Sequence, residues 1–261
     1  MIHRDSVDVW RIRLDAVAAL PADKLAERME MWRVLLSTEE QRRADSLIAD
    51  EHRQDYVAAH AGLRFLLGMH LKVLPSSIPI ETAGGTKPAL AAVPISGGTG
   101  SGSDLRFNLS HTRGAILIGI ASSREIGVDV EWQRPMEDLD AMARSVMSDD
   151  ELSLWMALRL EERMRSFYEV WTQKEAYLKA IGLGLYRSLQ DVTVSVSGGR
   201  ESFPERERLV LDRSGKGQWT VAGIPAWDGY SAAICWEGDD SPSIAIRDLD
   251  ILQCDLSVIA S

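Results

Sequence analysis

Apolar and polar residues alternate along Val7-Asp8-Val9-Trp10-Arg11-Ile12-Arg13-Leu14. That period of two predicts a strand with one buried face. The next signal, Ser37-Thr38-Glu39-Glu40, is a capping box, in which a serine and a glutamate three residues on satisfy each other's backbone amides at a helix start. Behind it Tyr56, Val57, Leu63, Leu66 and Leu67 mark a helical region that ends near Gly68. A strand at Ile78-Pro79-Ile80, a Gly84-Gly85 turn, a loop and an apolar strand, Ala115-Ile116-Leu117-Ile118-Gly119-Ile120, follow.

The order then repeats roughly 110 to 120 residues later. A strand spans Ile126 to Glu131, and Ser148-Asp149-Asp150-Glu151 is a second capping box. A helical region ends at Gly182, a residue suited to the left-handed turn after a helix. Val192-Thr193-Val194-Ser195-Val196, a Gly198-Gly199 turn and strands around Trp219-Thr220-Val221 and Ser231-Ala232-Ala233-Ile234 close the copy. Two similar α+β halves, 1–121 and 122–236, with a functional cleft between them and a tail, 237–261, are therefore expected. The tail is acidic, then apolar, and is expected to pack back on the body. The Gly/Ser run from Gly97 to Ser103 is no phosphate loop, because no Gly-Lys-Ser/Thr follows it.

With 261 residues the chain has room for one large domain or two ordinary ones. Its net charge of −10 argues against a nucleic-acid partner. No apolar run reaches membrane-spanning length, the N-terminus lacks a signal-peptide core, and the two cysteines, Cys235 and Cys254, form no disulfide framework. A cytoplasmic monomer fits these observations. Lysine occurs only at 24, 72, 87, 174, 179 and 216, so a phosphate site must draw on few lysines and local arginines.

Two stretches carry candidate chemistry. In Gly127-Val128-Asp129-Val130-Glu131, alternation puts Asp129 and Glu131 on one strand face. In the helix near 161–181, Met164, Tyr168, Trp171 and Leu178 recur at core-facing spacing, and Glu175 falls within that stripe. A carboxylate there is costly unless something positive meets it. Each pattern has a plainer reading: Glu175 and Lys179 can pair one helical turn apart, and the strand acids can face water. If the two elements meet, Asp129, Glu131 and Glu175 form a hard-cation site for Mg²⁺. Phe107-Asn108-Leu109-Ser110-His111-Thr112, read as loop, offers two phosphate donors, Ser110 and His111; adjacent in sequence and without GxSxG, they make a poor serine-hydrolase pair. Thr86-Lys87-Pro88 offers another cation.

Together these motifs resemble the Sfp-type 4'-phosphopantetheinyl transferases. That family has a Gly-Lys-Pro segment, a Phe-Asn-hydrophobic-Ser-His segment, a Gly-hydrophobic-Asp-hydrophobic-Glu strand and a Trp-x-x-Lys-Glu-Ala-x-x-Lys helix, and this chain has their counterparts in order. Threonine replaces the usual glycine before Lys87, and Gly97–Ser103 looks inserted. The resemblance implies a pseudo-dimer of two α+β halves. It implies Mg²⁺, with Mn²⁺ as substitute, on Asp129, Glu131 and Glu175. Lys87, Ser110, His111, Lys174 and Lys179 would contact coenzyme A, with Arg43, Arg53 and Arg64 as the first half's basic residues. Glu175, Lys179 and His111 would carry catalysis, moving phosphopantetheine to an apo carrier protein. The alternatives are a non-catalytic binder of carrier or nucleotide and a Mg²⁺-dependent phosphohydrolase.

Overall fold

A computed structural model of the chain describes residues 6–82, 87–91, 104–182, 188–196, 208–212 and 217–254. The first half comprises β1 (Ser6–Arg13), α1 (Asp15–Ala18), α2 (Ala22–Arg33), α3 (Thr38–Asp45), α4 (Asp50–Leu71), the short β2 (Ile80–Glu81) and β3 (Ala89–Leu90), β4 (Leu105–Thr112) and β5 (Ala115–Ser122). The second comprises β6 (Ile126–Trp132), α5 (Leu139–Val146), α6 (Asp149–Met156), α7 (Leu160–Ala180), β7 (Val192–Thr193), β8 (Arg208–Leu209), β9 (Leu211–Asp212), β10 (Trp219–Gly223) and β11 (Tyr230–Glu237). The last strand is β12 (Ser243–Asp248). The class is α+β.

Two four-stranded sheets run in the orders β12-β1-β5-β4 and β6-β11-β10-β8. In each, an opening strand (β1 or β6) pairs with the second strand of a later hairpin (β4–β5 or β10–β11). The same strand order therefore occurs twice. Alternation along these strands makes the layers. Val7, Val9, Leu117, Val128, Val130, Ile234 and Trp236 are buried between the sheets. Ile116, Ile118 and Ile120 face Trp32, Leu66 and Leu67 of the first half's helices. Ala233 and Cys235 face Phe167 and Tyr177 of α7. The stack is helices, sheet, sheet, helices, and each fully buried Leu, Ile or Phe side chain contributes about 1.5–3 kcal/mol.

Both capping boxes form, Ser37 with Glu40 at α3 and Ser148 with Glu151 at α6. Each glutamate also receives a buried cation from the long helix behind it, Arg64 of α4 at 2.5 Å and Lys174 of α7 at 2.5 Å.

The tail returns to the body as expected. β12 pairs parallel with β1, Ser6 opposite Ser243, and Ile251 and Cys254 join the first half's core. The segment 107–112, expected as loop, is strand β4, paired with β5 from Leu105–Ser122 to Thr112–Ala115. Its polar Asn108, Ser110 and Thr112 face the second sheet rather than water, so apolar alternation does not mark it. Helices α2 and α5 bury only one and two residues, too few to register as a stripe. The strands expected at 78–80 and 192–196 shrink to 80–81 and 192–193. The Gly84-Gly85 and Gly198-Gly199 turns and the Gly97–Ser103 run lie outside the described residues.

Candidate active site

Gly127 sets the site's geometry. A Cβ on it would lie 2.0 Å from the Ala176 carbonyl oxygen and 2.4 Å from the Ala180 nitrogen. Only glycine lets β6 run against the backbone of α7 this closely. Two residues on, Asp129 and Glu131 leave the same strand face beside α7. The buried face of α7 carries Phe167, Val170, Lys174, Tyr177 and Leu178. Trp171, Glu175 and Lys179, spaced by four, lie half-buried on its flank toward β4. Glu175 thus borders a cleft instead of facing the core; the core position belongs to its neighbour Lys174.

β4 approaches β6 edge to edge. Odd positions at both ends of β6 bond towards β11: just before the strand the Glu125 carbonyl accepts from Glu237 N, and just after it Gln133 N donates to the Gly229 carbonyl. Even residues turn their backbone to the first half. Val128 N donates to Asn108 Oδ1 at 2.9 Å, and Val130 N donates to Ser110 Oγ at 3.3 Å. Each bond satisfies an amide whose burial without a partner costs about 1–3 kcal/mol.

These elements enclose an open cavity of about 370 Å³, lined by Leu109, Ser110 and His111 from the first half and by Asp129, Glu131, Trp171, Glu175 and Lys179 from the second. Lys179 Nζ donates to Asp129 Oδ1 at 2.6 Å and to Ser110 Oγ at 2.8 Å. The Ser110 hydroxyl donates to the same carboxylate oxygen at 2.9 Å. Asp129 is 3% exposed, and its other oxygen, Oδ2, is buried without a partner. Burial and the Asp129 charge push the Glu131 carboxyl up to about 7, against the pull of Lys179. Burial and Asp129 also raise Glu175. The surrounding protein lowers the His111 imidazole; Asp55 opposes that shift and Lys179 adds to it. Among the described residues no three acid, histidine or cysteine side chains converge closely enough to hold a metal as they stand.

The other candidates fall in different places. Lys174, expected as a ligand contact, is fully buried and gives its three donors to Glu151, the Val146 carbonyl and the Leu189 carbonyl at 2.5, 2.8 and 3.0 Å. It is a core residue. Arg64 likewise is 1% exposed, held by Glu40 and by the carbonyls of Pro75 and Ile78. Both are enclosed by protein, each answering a capping-box glutamate. Arg53 bonds Asp50 and the Leu47 carbonyl near the start of α4. Lys87 bonds Glu125 and the Ile126 carbonyl, both at 2.6 Å, and the Ala180 carbonyl at 3.3 Å. Ser110 is 5% exposed, with its hydroxyl fully engaged. Arg43 is exposed and, with His111, lines a second cavity of about 460 Å³ that includes Tyr56, His60, Leu63 and Pro88.

The family model for the 4'-phosphopantetheinyl transferase superfamily matches residues 125–235. The 4'-phosphopantetheinyl transferase HetI of Nostoc sp. is 32% identical over 193 residues, 74% of this chain and 75% of that protein. The chain belongs to the 4'-phosphopantetheinyl transferase superfamily. A phosphopantetheinyl transferase of Thraustochytrium sp. is 29% identical over 94% of this chain and 85% of its own length. Sfp of Bacillus subtilis is 29% identical over 61% of this chain and 71% of its own. A solved holo-(acyl-carrier-protein) synthase from Bacillus anthracis, in complex with CoA (3',5'-ADP), covers 43% of this chain and 94% of that one, a slight likeness at 20% identity and a TM-score of 0.34.

The chain is thus a transferase, and the family match contains Asp129, Glu131, Glu175 and Lys179. Nothing in the local spacing marks Asn108, which caps the Val128 amide from a polar strand face that meets another sheet. Trp171, at core-facing spacing, packs against the second half's core and also walls the cavity. Glu151 both caps α6 and holds Lys174, and the second task leaves no trace in local spacing. No helix among the described residues is long and apolar enough to cross a membrane.

Proposed function

We propose that this transferase moves the 4'-phosphopantetheine group of coenzyme A to a serine hydroxyl of an apo carrier protein, releasing adenosine 3',5'-bisphosphate. The observation that carries the reading is the cavity where three carboxylates and Lys179 meet between β4, β6 and α7.

The donor set fits a hard divalent cation. All three side chains offer carboxylate oxygens, Asp129 Oδ2 lacks a partner, and Glu131 and Glu175 hold their protons more tightly than usual. Asp129, Glu131 and Glu175 would hold Mg²⁺, or Mn²⁺ in its place, after a small convergence of side chains. When bound, the cation offsets negative charge on the pyrophosphate. Lys179 supplies a fixed ammonium for phosphoryl oxygens. Glu175, half-buried and more basic than an exposed glutamate, takes the serine proton directly or through a water. The serine oxygen bonds to the phosphorus that bears pantetheine, the bond from that phosphorus to the bridging oxygen breaks, and the departing bisphosphate keeps the electron pair. Arg43 and His111 flank the larger cavity, whose Tyr56, Leu63 and Pro88 walls suit the nucleotide end of coenzyme A.

One chain provides both walls of the cavity, which supports a monomer. Two buried free thiols, Cys235 and Cys254, support a reducing cytoplasm. Arg159, Arg163 and Arg165 make no free basic patch for an acidic carrier: the first and last pair with glutamates, and Arg163 bonds backbone carbonyls. The test is to incubate the protein with coenzyme A, Mg²⁺ and an apo carrier, then weigh the carrier. A gain of one phosphopantetheine group supports the proposal. Bisphosphate released without a modified carrier means a hydrolase, and no product at all means a binder.

A further inference from the structure

The three side chains that meet the free edge of β6 come from two separate segments of the first half. Lys87 donates to the Ile126 carbonyl at 2.6 Å, Asn108 accepts from Val128 N at 2.9 Å and Ser110 accepts from Val130 N at 3.3 Å. Residues 126, 128 and 130 are the alternate positions whose backbone turns away from β11. Asn108 and Ser110 are two apart on β4, and their partners are two apart on β6. Two strands with the same repeat of about 3.3–3.4 Å per residue stay in step along such a seam. Side chains here replace the backbone ladder that would otherwise join the sheets.

The seam holds the acids from behind. Asp129 lies between the two stitched amides of Val128 and Val130, and its carboxylate takes the Ser110 hydroxyl. Asn108 is 7% exposed; it borders the second cavity, and its oxygen reaches no group of the acid cavity. Its bond is to the strand that carries Asp129 and Glu131, not to those side chains.

We infer that Asn108 is a positioning residue of the transfer reaction: by capping Val128 N it fixes the register of β6 against β4 and so the place of Asp129 beside Ser110 and Lys179. The inference rests on the proposed transfer reaction and deepens it. Without the cap β6 shifts along or away from β4, and displacements of about 1 Å at a reacting centre cost on the order of a hundredfold in rate.

The experiment compares Asn108→Leu, which keeps the size and removes the acceptor, with Asn108→Asp, which keeps an acceptor oxygen. Carrier modification is followed in steady state, with thermal melting alongside. Asn108→Leu is expected to lower kcat at saturating coenzyme A by about tenfold to a hundredfold while KM for the carrier moves less than about threefold; Asn108→Asp is expected to recover most of kcat. A role limited to stability would lower the melting temperature of both variants and leave kcat per folded molecule unchanged, and that result overturns the inference. So does wild-type kcat in a folded Asn108→Leu, or equal loss in both variants. Should the leucine variant not fold, Asn108→Ala, which leaves Val128 N without its side-chain acceptor, is expected to show the same fall in kcat, and normal turnover in it overturns the inference. Failure of the wild-type protein to modify any carrier would instead strike at the proposed reaction itself.

Discussion

Lys179 Nζ lies 2.6 Å from Asp129 Oδ1, the shortest link between α7 and the acid strand. One ammonium thereby offsets a carboxylate that is almost wholly enclosed, while the second oxygen of that carboxylate remains unpaired. The pair joins the two elements of the family match and faces the first half through Ser110. Replacing the lysine removes both the cavity's cation and the phosphate contact assigned to it. Lys179→Ala is expected to lower carrier modification by about 10²–10³-fold, read by mass of the carrier, with the secondary structure unchanged by circular dichroism.

The carboxyl of Glu131 also sets a pH dependence of stability. Its folded value of about 7 lies above the ordinary 4.5. A raised carboxyl is neutral in both states well below 4.5 and costs nothing there. As pH rises from 4.5 towards 7 the unfolded chain loses the proton first, so folding is progressively weakened, and above 7 the whole penalty is present. Glu131→Gln removes that penalty. The metal-free variant is expected to melt several degrees above wild type at alkaline pH and level with it in acid, while carrier modification is lost.

Buried ion pairs predict a different phenotype. Lys174 and Glu151 are 0% and 2% exposed, so deleting one partner strands a charge. Lys174→Met is expected to destabilise the fold by about 3–5 kcal/mol, measured by urea denaturation, with KM for coenzyme A unchanged in the folded fraction. A ligand-binding lysine would do the reverse. The double variant Lys174→Met, Glu151→Leu is expected to regain most of the stability.

Gly127 gives a steric prediction. Gly127→Ala drives a methyl into the Ala176 carbonyl and is expected to destabilise by about 3 kcal/mol or more, again by denaturation. Gly119→Ala meets the Val128 and Ile126 methyl groups instead, which yield more readily, so its loss is expected to be smaller.

The sequence disclosed those parts of the design that lie within one element. The Gly127–Glu131 alternation placed both acids on one face, and the repeated capping boxes appear at the stated residues. Lys174 misled because its neighbours in sequence, Glu175 and Lys179, do line the cleft; helix geometry turns residue 174 about 100° away from 175, and Glu151, its partner, lies 23 positions back. Arg64 misled for the same reason, since Glu40 sits 24 positions before it. Strand β4 was hidden because its polar face meets another sheet, and a pattern of alternating polarity does not say whether the polar side faces water or protein. Asn108 required the coordinates: its importance lies in a backbone amide 20 positions on, which no side-chain pattern marks.

Glu175 is where the acid cavity and the chemistry assigned to it coincide, so the most direct measurement is carrier modification by Glu175→Gln with coenzyme A and Mg²⁺ at saturation. The substitution keeps shape and removes only the negative charge and the basic oxygen. No phosphopantetheine added to the carrier by a folded variant is the predicted result; turnover close to that of the wild type would contradict the account of this site.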